Sequence, residues 1–343
     1  MIQQTIAKLF NHQSLTASEA EATMDEIMSG AATPTQIGAY LAALRLKGET
    51  QDEVVGSARA MRAKSLRIQT QQTLLVDTCG TGGDKSGTFN ISTTAAFVVA
   101  GAGVAVAKHG NRAATSQSGS ADVLAALGVN VTLTPEQVGR CIDEIGIGFA
   151  FALVHHPAMK HAAGPRREIG ARTIFNILGP LTNPAGATRQ LLGVFDPALT
   201  EMLATVLGDL GAERALVVCG ESNIDELTTI GPNKVSELCD GKVNTYTLDA
   251  TQFGLARTSL DDLGGGTPEF NASITRSILE NKSTQARHDV VVLNAGAALY
   301  AAGAVNDLRS GIDAAHDSIV SGRAMAKLEA LAALTSRLGA PVA

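Results

Sequence analysis

The stretch Asp77-Thr-Cys-Gly80-Thr-Gly-Gly83-Asp84, followed by Asn90-Ile-Ser92-Thr93, decides how this chain is read. Three of the four residues from Gly80 to Gly83 are glycine. Leu74-Leu75-Val76 before the loop reads as a short buried strand, and Phe97-Val98-Val99 after it, among alanines, as a packed helix. A strand, a glycine loop and a polar helix start together make an anion site. Backbone N–H groups in such a loop can point at phosphate oxygens with no side chain in the way. The free N–H groups of the following helix add to the attraction. The loop fits neither Gly-x-x-x-x-Gly-Lys-Ser/Thr nor a helix-opening Gly-x-Gly-x-x-Gly. Taken alone, it serves structure as readily as phosphate.

A second cluster changes the balance. Lys108-His109-Gly110-Asn111-Arg112 follows the apolar run Val104–Ala107, and Ser118-Gly-Ser120-Ala-Asp122 opens a further helix. Two successive strand–loop–helix units, the second bearing two cations, point to a ligand with more than one phosphate group. Open α/β sheets bind ligands where such loops gather, at the carboxyl ends of their strands.

These motifs, together with Arg172-Thr-Ile-Phe-Asn-Ile-Leu-Gly-Pro-Leu-Thr-Asn-Pro184 and Asp225-Glu226, resemble those of the anthranilate phosphoribosyltransferase family. The resemblance runs from the N-terminal helices to near the C-terminus. Gly-Thr-Gly-Gly-Asp by itself is shared with pyrimidine nucleoside phosphorylases. One departure is visible: Ala113-Ala-Thr-Ser116 stands where the family usually has Ser-Val-Ser-Ser. A side-chain contact is lost at Ala113, whereas backbone donors survive the change.

Composition sets bounds. A chain of 343 residues with 45% apolar content can bury a sizeable core in two domains or one large one. A net charge of −6 without a polybasic run argues against nonspecific nucleic-acid or anionic-membrane roles. Cys79, Cys141, Cys219 and Cys239 show no metal spacing and fit a reducing cytoplasm; Cys79 reads as a buried filler. The first residues do not read as a signal peptide, and Thr94–Ala107, broken by Gly101 and Gly103, is too short to span a membrane.

The fold class expected is α/β. A small N-terminal helical domain precedes a large α/β domain with a central, mainly parallel sheet, the nucleoside phosphorylase/phosphoribosyltransferase-like arrangement that the resemblance implies. Capping boxes at Thr16–Glu19, Thr33–Gln36 and Thr50–Glu53 predict three short helices in residues 1–65. From Leu74 short strands and helices alternate. The strands are predicted at Leu74–Val76, Val104–Ala107, Val129–Leu133, Phe149–Val154, Leu191–Phe195, Leu216–Cys219 and Val290–Leu293. Helices are predicted at Thr134–Ile145, Pro197–Leu210, Asn271–Asn281 and Ala295–Ala302, with a short one near Thr173–Leu178. Lys234–Leu248 reads as an edge hairpin turning at Asp240-Gly241, and Asp261–Pro268 as a loop. The resemblance implies that parts of 155–188 complete the small domain, leaving 74–154 and 189–343 as the large one with the site in the cleft between them.

The family reaction joins anthranilate to 5-phosphoribosyl-1-pyrophosphate (PRPP), releasing pyrophosphate, as a step of tryptophan biosynthesis. By resemblance, Gly80, Gly83, Asp84, Thr88, Asn90, Ile91, Ser92 and Thr93 line the PRPP site. The second loop adds Lys108, His109, Gly110, Asn111 and Arg112, then Ala113, Ala114, Thr115, Ser116 and Ser120. Lys108 is expected to neutralise phosphate charge, with Arg112 assisting. Gly80, Asn111 and Arg166 resemble the family's anthranilate contacts; Arg172 and Arg189 read as structural. Asp225 and Glu226, with the Ser92 hydroxyl, are the expected Mg²⁺ ligands, since Mg²⁺ favours one or two carboxylates plus substrate phosphates. Away from that context the acidic pair would read as a solvated turn. His109 is the candidate for proton transfer, or else shapes the site. The expected assembly is a homodimer through the N-terminal helices, with no nucleic-acid or membrane partner. The competing readings are a pyrimidine nucleoside phosphorylase and a nucleic-acid-binding relative without enzyme activity.

Overall fold

The computed structural model describes residues 1–113 and 117–339. All three predicted capping boxes form, each threonine accepting from the N3 backbone N–H while the N3 side chain reaches back. They open α2 (Ala17–Met28), α3 (Pro34–Lys47) and α4 (Gln51–Ala63). A further helix, α1 (Ile2–Phe10), precedes them and has no side-chain cap, which is why local signals miss it. Its buried residues Ile2, Thr5 and Leu9 lie on one face. The first turn of α2 crosses α4 at Gly56, where a Cβ would stand 2.0 Å from the Ala17 carbonyl oxygen.

The strands are β1 (Leu75–Gly80), β2 (Ala105–Gly110), β3 (Ile147–Phe151), β4 (Arg189–Gly193), β5 (Arg214–Cys219), β6 (Asn233–Cys239) and β7 (Lys242–Leu248). They form one sheet in the order β3-β2-β1-β4-β5-β6-β7. β1 to β5 run parallel; β6 and β7 are antiparallel and form the predicted edge hairpin. Between β1 and β4 lie α5 (Ile91–Gly101), α6 (Ser120–Ala126), α7 (Pro135–Ile145), α8 (Ala152–His155), α9 (Lys160–Ile169) and α10 (Phe175–Leu178). After β4 come α11 (Leu199–Asp209), α12 (Pro268–Leu279), α13 (Gln285–Ala301), α14 (Leu308–Val320) and α15 (Arg323–Leu338).

Alternate residues of the central strands enter two cores. Leu191, Leu216 and Val218 face the core built with α5, α13 and α15. Leu192, Val217 and Cys79 face the other, which runs through α11 into the N-terminal helices. α9 packs on α2 and α3, and α10 on α4.

Three strand predictions need correction. Val129–Leu133 is not a strand: Val129, Val131 and Leu133 are buried, but the Asn130 N–H donates to the Thr335 hydroxyl instead of a ladder partner. Val290–Leu293 lies inside α13, a helix so enclosed that its β-branched run carries no amphipathic signal. Phe149–Val154 is strand only as far as Phe151, where α8 begins.

One fully buried charge organises the helical part. Glu53 accepts from the N–H groups of Leu15 (2.9 Å) and Thr50 (2.8 Å) and pairs with Lys47 at 2.9 Å. Removing it would leave the Lys47 ammonium with the Gly48 carbonyl but no counter-charge, and two N–H groups without their acceptor. Glu53→Ala is therefore expected to cost about 3 kcal/mol in urea unfolding. A loss below about 1 kcal/mol would show these contacts to be dispensable.

Candidate active site

The sheet order reverses between β1 and β4, because successive strands are added outward from β1 on one side and from β4 on the other. Ligands of open α/β sheets settle at such a switch point, beyond the strands' carboxyl ends. Both strands end there in glycine, and Gly80 and Gly193 are register partners. Asp225 lies directly on the pair. A Cβ on Gly80 would stand 2.3 Å from the Asp225 Oδ2, and one on Gly193 1.6 Å from the Asp225 carbonyl oxygen. Gly193 was not among the expected site residues; a glycine within a strand is the signal that marks such close approach.

The acidic pair is held by backbone donors from the two loops that the sequence singles out. The Gly82 N–H donates to Asp225 Oδ2 at 2.6 Å, and the Ser92 N–H to Glu226 Oε1 at 3.0 Å. Burial pushes the Asp225 carboxyl well above the usual range, and the neighbouring Asp84 and Glu226 push further. Burial also raises Glu226, against the pull of Lys108 and Ser92. Asp84 accepts from the Ser86 N–H at 3.2 Å, while its buried Oδ2 has no partner among the described residues.

Lys108 departs from the expected loop position. It lies within β2, 3% exposed, with its ammonium donating to the Thr78 carbonyl at 2.5 Å and its charge felt by Glu226 and Asp77. Its charge therefore favours the ionised form of Glu226. Cys79 beside it is buried, accepts from the Gln190 amide, and its thiol is pushed up by burial, consistent with an inert filler.

The second loop is knitted by side chains. Asp122 accepts from the N–H groups of Ala113 and Gly119, each at 3.0 Å, and pairs with Arg112 at 2.7 Å. Ser120 donates to the Asn111 carbonyl, which leaves the Asn111 side chain exposed. Asn90 donates to the Ser118 carbonyl and accepts from Asn271 on α12. The segment carrying Thr88 is covered by 263–266: the Phe89 N–H donates to Leu263 and the Gly265 N–H to Gly87. Ile91 and Thr93 point into the core. The Ile91 N–H donates to the Phe89 carbonyl. Ala114, Thr115 and Ser116 lie outside the described residues.

His109, at the end of β2, is anchored through its backbone N–H to Asp77, which also accepts from Asn183. Its ring tilts against His156 with centroids 5.1 Å apart, and the Nε2 atoms of both are buried without partners among the described residues. Burial first, then His156 and His155, keeps His109 well below the ordinary histidine range. Burial holds His156 down at about 4. Burial thus favours the neutral form of the His109 imidazole. His156 was not among the expected site residues, and no local motif marks it.

Arg166, on α9, is half-buried, lies 5.0 Å from the Phe175 ring centre, and has no carboxylate partner among the described residues. Arg167 beside it is exposed. Arg189 is structural, pairing with Glu213 and donating to the Ala302 carbonyl. Arg172 is not merely structural in placement: it lies flat on Phe195 at 3.7 Å, close against Gly83 of the glycine loop.

The donor set suits a hard cation. Asp225, Glu226 and the Ser92 hydroxyl are all oxygen ligands, and the orphaned Asp84 Oδ2 is a further one nearby. Among the described residues no group of three or more His, Cys, Asp or Glu is arranged to hold a metal unaided. Mg²⁺ in general takes one or two carboxylates together with substrate phosphates and water.

Residues 3–65 match the helical bundle domain of a glycosyl transferase family, and residues 72–325 match its α/β domain. The bundle, the sheet and the switch-point loops are thus those of a glycosyltransferase. The anthranilate phosphoribosyltransferase of Symbiobacterium thermophilum is 58% identical over 326 residues, covering 95% of each chain. That of Moorella thermoacetica is 56% identical over 333 residues, covering 97% of this chain and 98% of the other. The crystal structure of the Thermus thermophilus anthranilate phosphoribosyltransferase superposes with a TM-score of 0.92 at 45% identity, over 96% of this chain and 99% of that one. A Saccharomyces cerevisiae anthranilate phosphoribosyltransferase, in complex with PRPP and Mg, superposes at 0.89 with 26% identity over 98% of each. The chain belongs to the anthranilate phosphoribosyltransferase family.

The buried histidines carry a pH prediction. His109, His155 and His156 have depressed values in the fold, so the unfolded chain binds protons more readily below about 6.5. Their contribution to stability is complete above that pH and is lost as pH falls toward 4. Urea unfolding at pH 7.5 and 5 should show the difference, with His156→Asn shrinking it by roughly 1–2 kcal/mol. An unchanged difference would mean that His156 does not titrate between the two states.

Proposed function

We propose that this chain transfers the 5-phosphoribosyl group of PRPP to the amine of anthranilate, giving N-(5-phosphoribosyl)anthranilate and pyrophosphate, in tryptophan biosynthesis. The observation that carries this reading is near-full-length identity of 58% to an anthranilate phosphoribosyltransferase. In the reaction the C1–O bond to pyrophosphate breaks, its electron pair leaving with pyrophosphate. The amine lone pair forms the N–C1 bond and the nitrogen then sheds a proton.

The chain's own part is positioning and charge. The Gly80–Gly83 loop and the start of α5, through Asn90 and Ser92, receive PRPP, and the segment Asn111–Ser120 flanks it. Asp225, Glu226 and Ser92 are the residues that would hold Mg²⁺, which when bound neutralises charge on the departing pyrophosphate. Lys108 favours the ionised form of Glu226. Arg166 receives the anthranilate carboxylate, with Asn111 and Gly80 beside it. The amine is already neutral at pH 7, so His109 suffices as a hydrogen-bonding and shaping group. Residues 1–65 with parts of 155–188 act as the small domain, and 74–154 with 189–343 as the large one. The exposed Phe10 and Leu46, on α1 and α3, support a homodimer through the N-terminal helices. Among the described residues no helix is long and apolar enough to cross a membrane. The four free cysteines fit a cytoplasmic location.

The direct test follows anthranilate fluorescence in the presence of PRPP and Mg²⁺. Loss of signal with release of pyrophosphate is expected. Phosphate-dependent release of thymine or uracil from a nucleoside, with no loss of anthranilate, would replace this reading with a nucleoside phosphorylase.

Arg166 provides a sharper test. A guanidinium–carboxylate pair binds ground state and transition state alike, so Arg166→Ala should raise the anthranilate KM with less effect on kcat. A charge-assisted pair worth about 1.5–3 kcal/mol corresponds to roughly ten- to a hundredfold in kcat/KM. Arg166→Lys should recover only part, because the fork is lost. Arg167→Ala should do much less; the reverse ranking would move the carboxylate site by one residue.

A further inference from the structure

The acidic pair sits between β5 and β6, in a segment without helix or strand at Asp225 and Glu226. Their carboxylates are met by N–H groups from Gly82 and Ser92, but those contacts do not fix the backbone that carries them. The backbone is gripped from the opposite side. Asn294, fully buried in the middle of α13, accepts from the Leu227 N–H at 3.0 Å and donates to the Leu227 carbonyl at 2.8 Å. One side-chain amide thus satisfies both backbone groups of the residue that follows Glu226, as a neighbouring strand would. The same amide donates to the Val290 carbonyl at 2.8 Å in its own helix, which locks its orientation.

The next residue is gripped in the same manner from another element. Asn233, at the start of β6, accepts from the Thr228 N–H at 2.7 Å and donates to the Thr228 carbonyl at 3.0 Å. Leu227, Thr228, Asn233 and Asn294 are all fully buried, so water cannot replace either amide. Only a primary amide presents donor and acceptor side by side in this way: aspartate lacks the donor, and leucine lacks both.

Resting on the reading of Asp225 and Glu226 as metal ligands, we propose that Asn294 is a positioning residue for that pair: through Leu227 it sets their height over the Gly80–Gly193 gap, and thereby the affinity for divalent metal. It touches neither substrate. Its loss lets the segment ride up from the strand ends, so that the carboxylates no longer converge with Ser92.

The test measures metal binding apart from turnover, by titrating Mn²⁺ into the protein with PRPP and without anthranilate, reading free Mn²⁺ by electron paramagnetic resonance. Asn294→Ala should weaken Mn²⁺ binding by up to about tenfold, at or below the low end of the range for a direct partner of a metal ligand, because it acts one residue away. In steady state it should raise the Mg²⁺ requirement by a similar factor, with excess Mg²⁺ restoring most of kcat and the anthranilate KM little changed. Leu328→Ala, which opens the same core on α15 without reaching the segment, should leave metal binding as in the wild type. If Asn294→Ala does not fold, Asn294→Ser decides by the same readings. Unchanged Mn²⁺ affinity in the Asn294 variant, or an equal loss in Leu328→Ala, overturns the proposal. Asp225→Asn and Glu226→Gln separate the two layers. If both bind Mn²⁺ as the wild type does, the metal reading itself fails. If they lose it while the Asn294 variant does not, only the positioning role falls.

Discussion

The close approach of Asp225 to two paired glycines is the constraint on which the rest of this site depends. Gly80 and Gly193 close neighbouring parallel strands at the same register, and the missing side chains leave a notch at the switch point. Asp225 fills the notch, and Glu226 beside it accepts from the Ser92 N–H and feels the Lys108 charge. The loop after β1 then folds over Asp225 through the Gly82 N–H. Three chain segments distant in sequence converge because two strands end without a Cβ.

A second set of contacts fixes the neighbouring half of the site. Asp77 in β1 holds the backbone of His109 in β2 and the amide of Asn183, which also donates to the Ala107 carbonyl. The segment 155–188 is thereby tied to the first two strands. It carries His156 against His109 and Arg166 on Phe175. The half near Asp225 is thus built on carboxylates, and this half on histidine rings and the guanidinium groups of Arg166 and Arg172.

How much was legible in the sequence follows from how local each signal is. Capping boxes are four-residue devices, legible at Thr16, Thr33 and Thr50; α1, lacking a side-chain cap, is not. The run Val290–Leu293 looks like a strand because β-branching suggests one, yet α13 is enclosed on nearly every side, and enclosure tolerates branching. Val129–Leu133 alternates because one side is buried, not because a neighbouring strand pairs with it. At the site, the glycine loop, the second loop and Asp225-Glu226 were visible as motifs. Gly193, His156, Asn233 and Asn294 were not, because each acts through a partner that only the fold brings near. The placement of Lys108 inside a strand was likewise invisible, since a cation beside a phosphate-type loop reads as facing the ligand.

The order of the strands also bears on how the chain is made. β1, β2 and β3 are complete long before β4 emerges from the ribosome, yet β4 must pair with β1 in the middle of the sheet. Until then β1 presents an unpaired edge of backbone donors and acceptors, flanked by apolar Val76 and Cys79. Such an edge is a template for pairing with other chains. The N-terminal helices are synthesised first and belong to the same core as that face of the sheet, so they are available to shelter it. The strand order thus leaves an open edge beside a core to which the first-synthesised helices contribute.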